Sequence, residues 1–302
     1  AVPTFTHVAY MSRIDPESAA EAYIRLIGYA GATGAHMHIC HFNSSSKTDI
    51  ERCVALIAKA QAQGLPITVE AYPYGTGSTV LAATFFSDPK FEERNGLGYD
   101  SVQRVTDGHR FGSREELLAA QAAEPSTLVL WHVLDIENNA HHRDLLDMAV
   151  LYPGGAIASD AMPWTLSDGR PYTGDAWPLP DDATSHPRSA GCFTRFIREW
   201  VRERKKVSLL EGIRKCALIP AEILSASTPA MRAKGRLQAG ADADIVAFDY
   251  ETLSDRATFS AMNRPAEGVR HLVVSGQPLI NDGVLDVAAR PGRPVRRPVT
   301  GG

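Results

Sequence analysis

Three short segments of this sequence carry side chains able to bind a metal or move a proton. The first is His36-Met-His38-Ile-Cys40-His41, followed by the polar Asn43-Ser-Ser-Ser46. The second is Glu70-Ala-Tyr72-Pro-Tyr74 with Gly77-Ser-Thr79, and the third is Ser159-Asp160 followed by His186-Pro-Arg188. A hydrolytic zinc site needs His, carboxylate or Cys donors converging on one ion, with a position left open for water. His41 ends an apolar stretch just before a polar loop, which suits a metal ligand; a loop histidine is the plain alternative. Asp160 ends Ala-Ile-Ala-Ser-Asp, where a carboxylate can accept a proton and give it back; a turn or cap aspartate would look the same. Arg188 offers a planar fork that matches a carboxylate. Tyr72 and Tyr74 can line a pocket or simply pack. His7 and His132 are further site candidates. His36 and His38 share one strand face and read as structural or supporting residues, while His141 and His142 read as solvated helix residues.

Such residues need a scaffold that brings strand ends together. Apolar runs at Thr4–Ala9, Ala35–Cys40, Ile67–Tyr72, Thr127–Val133 and Ala156–Ser159 read as five strands. Between them lie helical periods, Pro16–Ala32 capped by Asp15 and Thr48–Gln63 stopped by Gly64 and Pro66. Strands alternating with helices imply parallel pairing through right-handed crossovers, an α/β sheet or barrel. Tyr74–Thr79 reads as a Gly-rich loop and Ser113–Ala123 as a helix. The proline-dense 163–187 is a long functional loop. Helices are expected over Gly191–Arg204 and Ser208–Ala226. From Gly235 onward short strands separated by Gly and Asp turns indicate a small β-domain, and the last dozen residues an extended tail.

The 302 residues carry a net charge of −4, with 44% hydrophobic and 22% charged residues. That balance gives no electrostatic case for nucleic acid, and no apolar run approaches a membrane span. Cys40, Cys53, Cys192 and Cys216 form no CxxC and read as free thiols of a reducing, cytoplasmic compartment. The N-terminus has neither the basic nor the apolar part of a signal peptide.

Together the motifs resemble the amidohydrolase superfamily, and within it the N-acyl-D-amino-acid deacylases. Gly235-Arg-Leu237, Gly240-Ala-Asp-Ala-Asp244 and Val274-Ser-Gly276 are similar to that superfamily's closing β-sandwich, and the three site segments match the deacylases in order and approximate spacing. The resemblance implies a partial (β/α)8 TIM barrel, strands four to eight, over residues 1–232, and a β-sandwich domain with tail over 233–302. Strands one to three and a first-strand His-x-His would precede Ala1; His36-Met-His38 copies that spacing but belongs to strand five by position. Residues 1–302 alone are then expected to aggregate and to hold zinc poorly. The resemblance further implies Zn²⁺ bound through His41 and Asp160, Asp160 as the catalytic proton carrier and Arg188 binding substrate; His132, at a strand end, is a further metal candidate, and Tyr72 and Tyr74 are further substrate-binding candidates. The activity implied is hydrolysis of a linear C–N amide, releasing an amino acid from a small-molecule N-acyl-D-amino acid, with no nucleic-acid or membrane partner and an oligomer open. A dihydroorotase- or hydantoinase-like cyclic amidohydrolase is a second reading, and a non-catalytic binding or assembly homologue a third. One departure supports the third: a position where the deacylases can carry a second metal-binding His is Ala71 here, so either Glu70, His132 or an upstream residue substitutes, or the site is mononuclear with a different ligand set, or catalysis has been lost.

Overall fold

Alternating apolar strands and capped amphipathic helices build the first part of the chain, seen in a computed structural model that describes residues 3–297. Ala1, Val2 and 298–302, with the end of the expected tail, lie outside the described residues. Strand β1 (Thr4–Thr6) leads to α1 (Ala19–Thr33), β2 (Met37–Ile39), the short α2 (Phe42–Ser46), α3 (Ile50–Ala62) and β3 (Ile67–Ala71). Ser18, rather than Asp15, caps α1 by accepting from the Glu21 N–H, and Asp15 accepts a hydrogen bond from the Ser18 hydroxyl. Gly34 ends α1 in the left-handed conformation (φ 66°), its N–H closing on Ala30 O, which a residue with Cβ would do only under strain. The buried stripe of α1 is Ala19, Ala20, Tyr23, Leu26 and Ala30, whereas Ile24 is half exposed.

The next elements depart from the expected alternation. β4 (Thr76–Val80) is a strand where a loop was expected, and it pairs antiparallel with β6 (Leu128–His132), which also pairs antiparallel with β5 (Val102–Arg104). α4 (Phe91–Asn95) and α5 (Arg114–Ala123) flank this sheet, and α6 (Ala140–Val150) leads to β7 (Ala156–Ile157). β7 pairs directly with β3, so the parallel sheet has the order β1-β2-β3-β7, four strands rather than five. The reason is local. β-Branched Thr76, Thr79 and Val80 favour an extended chain, and the register Thr76↔His132 through Val80↔Leu128 satisfies both backbones.

Helix α7 (Arg188–Phe196) continues through a π-helical segment at Ile197–Glu203. The single helix expected over 208–226 is broken into α8 (Leu209–Cys216) and α9 (Leu218–Ser225). Pro220 lacks an N–H and its ring would clash with the carbonyl of Cys216, so a continuous helix cannot pass. The last sheet, β8 (Ile245–Phe248), β9 (Val269–Val274), β10 (Gln277–Asn281) and β11 (Val284–Leu285), is fully antiparallel. On the parallel sheet Met37, Ile39, Ile67, Val69 and Ala71 face the core against α1, α3 and α6, while Phe5, His38 and Glu70 face the other way. All four cysteines are free. No helix among the described residues is long and apolar enough to cross a membrane.

Candidate active site

Parallel strands place functional groups just beyond their C-terminal ends, and three of the expected residues meet there. His7 follows β1, His41 lies two residues beyond β2, and Asp160 three beyond β7. His7 Nδ1 stands 2.8 Å from His41 Nε2, and His41 Nδ1 is held by the Ser45 hydroxyl at 2.8 Å. His7, His41, Asp160, Tyr72, Ser44 and Ser78 line one cavity of about 290 Å³, walled on its apolar side by Phe85, Trp131 and Val133. His41 (φ 37°) and Asp160 (φ 47°) both adopt the left-handed backbone conformation. Strain of that kind in non-glycine residues persists where the surroundings over-determine it, often at functional sites.

The electrostatics keep both imidazoles neutral. Burial lowers the pKa of His7, opposed by the Asp160 carboxylate and assisted by Lys47. Burial likewise lowers that of His41, with Asp160 opposing and His7 assisting. A neutral imidazole has a free lone pair for a metal.

Arg188, expected to grip a substrate carboxylate, is turned elsewhere. Its side chain is 1% exposed and it does not line the cavity. Nε donates to the Asp160 carbonyl at 2.7 Å, and Nη2 lies 2.7 Å from Asp160 Oδ2 in an ion pair not aligned as a hydrogen bond. The guanidinium stacks 4.3 Å over the Tyr72 ring, and Nη1 has no hydrogen-bond partner among the described residues. His186, fully buried, donates from Nε2 to Thr76 O and accepts the Arg188 N–H on Nδ1. The His-Pro-Arg motif is therefore a clamp on the Asp160 turn.

The two tyrosines part company. Tyr72 lines the cavity and its buried hydroxyl has no partner among the described residues; burial raises its pKa, so it stays a donor. Tyr74 lines a separate cavity of about 690 Å³, beneath Arg195. His132 belongs to that second cavity and does not join His41. Its ring nitrogens are engaged by Thr76 Oγ1 (2.9 Å) and Gln103 Oε1 (2.8 Å) across the antiparallel sheet. Trp131 and Val133 face the His41 cavity, so alternation sends His132 to the opposite face. Burial, with Arg110 assisting, lowers its pKa to about 4.

Ala71 also finds its explanation. It is 1% exposed in the hydrophobic core, so a side chain there points at helices, not at donors. A histidine could not reach the site from that position. His7 is the partner that the sequence understated: its strand is only three residues long, and no local pattern shows that it will meet His41.

The chain is similar to known proteins in sequence and in fold. A family model described as the amidohydrolase family matches residues 42–280. An N-acyl-D-glutamate deacylase of Alcaligenes xylosoxydans xylosoxydans is 37% identical over 119 residues, which is 39% of this chain and 23% of that protein. A D-aminoacylase of the same organism is 34% identical over 222 residues, covering 70% of this chain and 38% of its own length. A similar fold is seen in the crystal structure of N-acyl-D-glutamate deacylase from Bordetella bronchiseptica, complexed with zinc and a phosphonate mimic of the tetrahedral intermediate. The TM-score is 0.68 at 22% identity, over 97% of this chain and 55% of that one. The chain thus spans about half the length of that structure and less of the curated relatives. With most of its residues matched by the family model, the chain belongs to the amidohydrolase family.

Proposed function

We propose that this chain contributes the active site of a metal-dependent hydrolase of a linear C–N amide, releasing an amino acid from an N-acyl-D-amino acid. The observation that carries the proposal is the meeting of His7 and His41, 2.8 Å apart, in one cavity with Asp160 and Tyr72. Two neutral imidazoles beside a carboxylate fit a divalent cation of the zinc type, with His7, His41 and Asp160 as its holders. Such an ion, when bound, polarises an acyl carbonyl and eases ionisation of water. The parallel sheet β1-β2-β3-β7 is read as an arc of a (β/α)8 barrel within residues 1–232, and β8–β11 as part of a β-sandwich unit within 233–302.

The protein's own groups divide the remaining work. Asp160 takes a proton from the attacking water as its oxygen bonds to the acyl carbon. The Tyr72 hydroxyl, otherwise unpartnered, donates to the oxyanion that forms. Asp160 then passes its proton to the nitrogen as the C–N bond breaks, leaving a carboxylic acid and a free amine. Arg188 positions Asp160 through two contacts on the same residue, and the Phe85, Trp131 and Val133 wall limits competing water.

The test pairs metal content with hydrolysis. His7→Ala and His41→Ala are each expected to lose bound zinc and the release of D-amino acid from an N-acyl-D-glutamate together. Full activity with either histidine removed overturns the assignment.

A further inference from the structure

Strands β2 and β3 carry a second donor set that the cavity described above does not use. His38, Cys40 and Glu70 each offer one ligand atom, and these atoms all lie within 4.8 Å of one another. The arrangement follows from register. His38 stands opposite Thr68 and Ile39 opposite Val69 in the parallel pair, so Cys40 falls level with Glu70 on the same face. Met37, Ile39, Val69 and Ala71 occupy the opposite face as core.

The imidazole is already oriented. His38 is 1% exposed; its Nδ1 is hydrogen-bonded to Thr68 Oγ1 at 2.8 Å, and Nε2 lies 3.2 Å from Glu70 Oε2. The Phe5 ring packs 4.6 Å from it on the third side. A hydroxyl fixing the far nitrogen of a histidine is how metal sites hold their ligands in aim. In a tetrahedral zinc site, bonds of about 2.1 Å to N and O put neighbouring ligand atoms about 3.4 Å apart. The His38–Glu70 pair is already near that spacing, and the thiol needs a shift of about 1 Å at most.

We propose that His38, Cys40 and Glu70 form a site for a borderline divalent cation such as Zn²⁺ or Co²⁺, separate from the His7, His41 and Asp160 set. The nitrogen–sulfur–oxygen donors disfavour Mg²⁺ and Ca²⁺, which take oxygen. On binding, the Cys40 S–H bond breaks, its proton leaves to solvent and its electron pair goes to the ion. His38 binds through Nε2 after its proton there is exchanged for one on Nδ1, which then donates to Thr68 Oγ1; Glu70 supplies a pair it already holds, and nothing is oxidised or reduced.

Cobalt distinguishes this site optically, because thiolate-to-cobalt charge transfer absorbs in the near ultraviolet and imidazole or carboxylate ligation does not. Chelator-stripped protein is titrated with CoCl₂ and compared with Cys40→Ser, His38→Gln and His7→Ala. The wild type is expected to show the band, Cys40→Ser to lose it, and His7→Ala to keep it, whatever becomes of hydrolysis. Should Cys40→Ser fail to fold, His38→Gln carries the test, with the band lost or moved to higher cobalt. Two results overturn the proposal: cobalt binding without a thiolate band, or a band that survives in Cys40→Ser and so belongs to Cys53, Cys192 or Cys216.

Discussion

Asp160→Asn separates the chemistry of Asp160 from its place in the structure. Asparagine tolerates the left-handed backbone at φ 47° at least as well as aspartate, so the turn is retained. The Arg188 Nε bond goes to the backbone carbonyl and survives the change. What disappears is the countercharge 2.7 Å from Nη2, the group able to accept a proton and the anionic donor proposed for the metal. Breaking a fully buried ion pair costs about 3–5 kcal/mol. Asp160 is 34% exposed, so solvent screens much of this and about 1 kcal/mol is expected, a fall of a few degrees in Tm. Turnover is expected to fall about 100-fold or more, equivalent to about 3 kcal/mol in the barrier. The assay follows amine release from an N-acyl-D-glutamate, with thermal unfolding and metal content measured on the same preparation. Turnover within about tenfold of wild type, metal retained, refutes Asp160 as the proton carrier. A large stability loss with little kinetic change would make the Arg188 pair structural alone.

Arg188→Lys keeps the charge but cannot hold both the carbonyl and the carboxylate of Asp160. Turnover should therefore fall to a similar degree on substrates with and without a free α-carboxylate; a loss confined to carboxylate-bearing substrates would restore Arg188 as a substrate grip. His132→Gln should leave bound metal unchanged, checked by elemental analysis, because His132 faces the other cavity; loss of one ion per chain would return it to the metal set. Lys215 is buried, donating to Tyr152 O and Gly155 O, and burial lowers its pKa to about 8. The unfolded chain, with its ordinary lysine pKa near 10.5, binds more protons between about pH 8 and 10.5, so Lys215's contribution to stability rises with pH there, by about 3 kcal/mol in all. Urea unfolding of wild type against Lys215→Met across that window should show their stability difference climbing; a flat difference contradicts the lowered pKa.

Local pattern was enough for much of the scaffold. The first helix and the strands at Thr4, Met37, Ile67 and Ala156 follow from periodicity and backbone preference, which neighbours in sequence decide. His41 and Asp160 were legible for the same reason, each standing at the end of an apolar strand. Strand partnership was not. A run such as Leu128–His132 is equally apolar in a parallel or an antiparallel sheet, and only its pairing with Thr76–Val80 sends His132 away from His41. Thirty-four residues separate His7 from His41 and 28 separate Arg188 from Asp160, so no local preference encodes those contacts. The residue types were set along the chain. Which of them share one cavity, and which only hold another in place, was decided by the sheet order and by the face each strand turns inward.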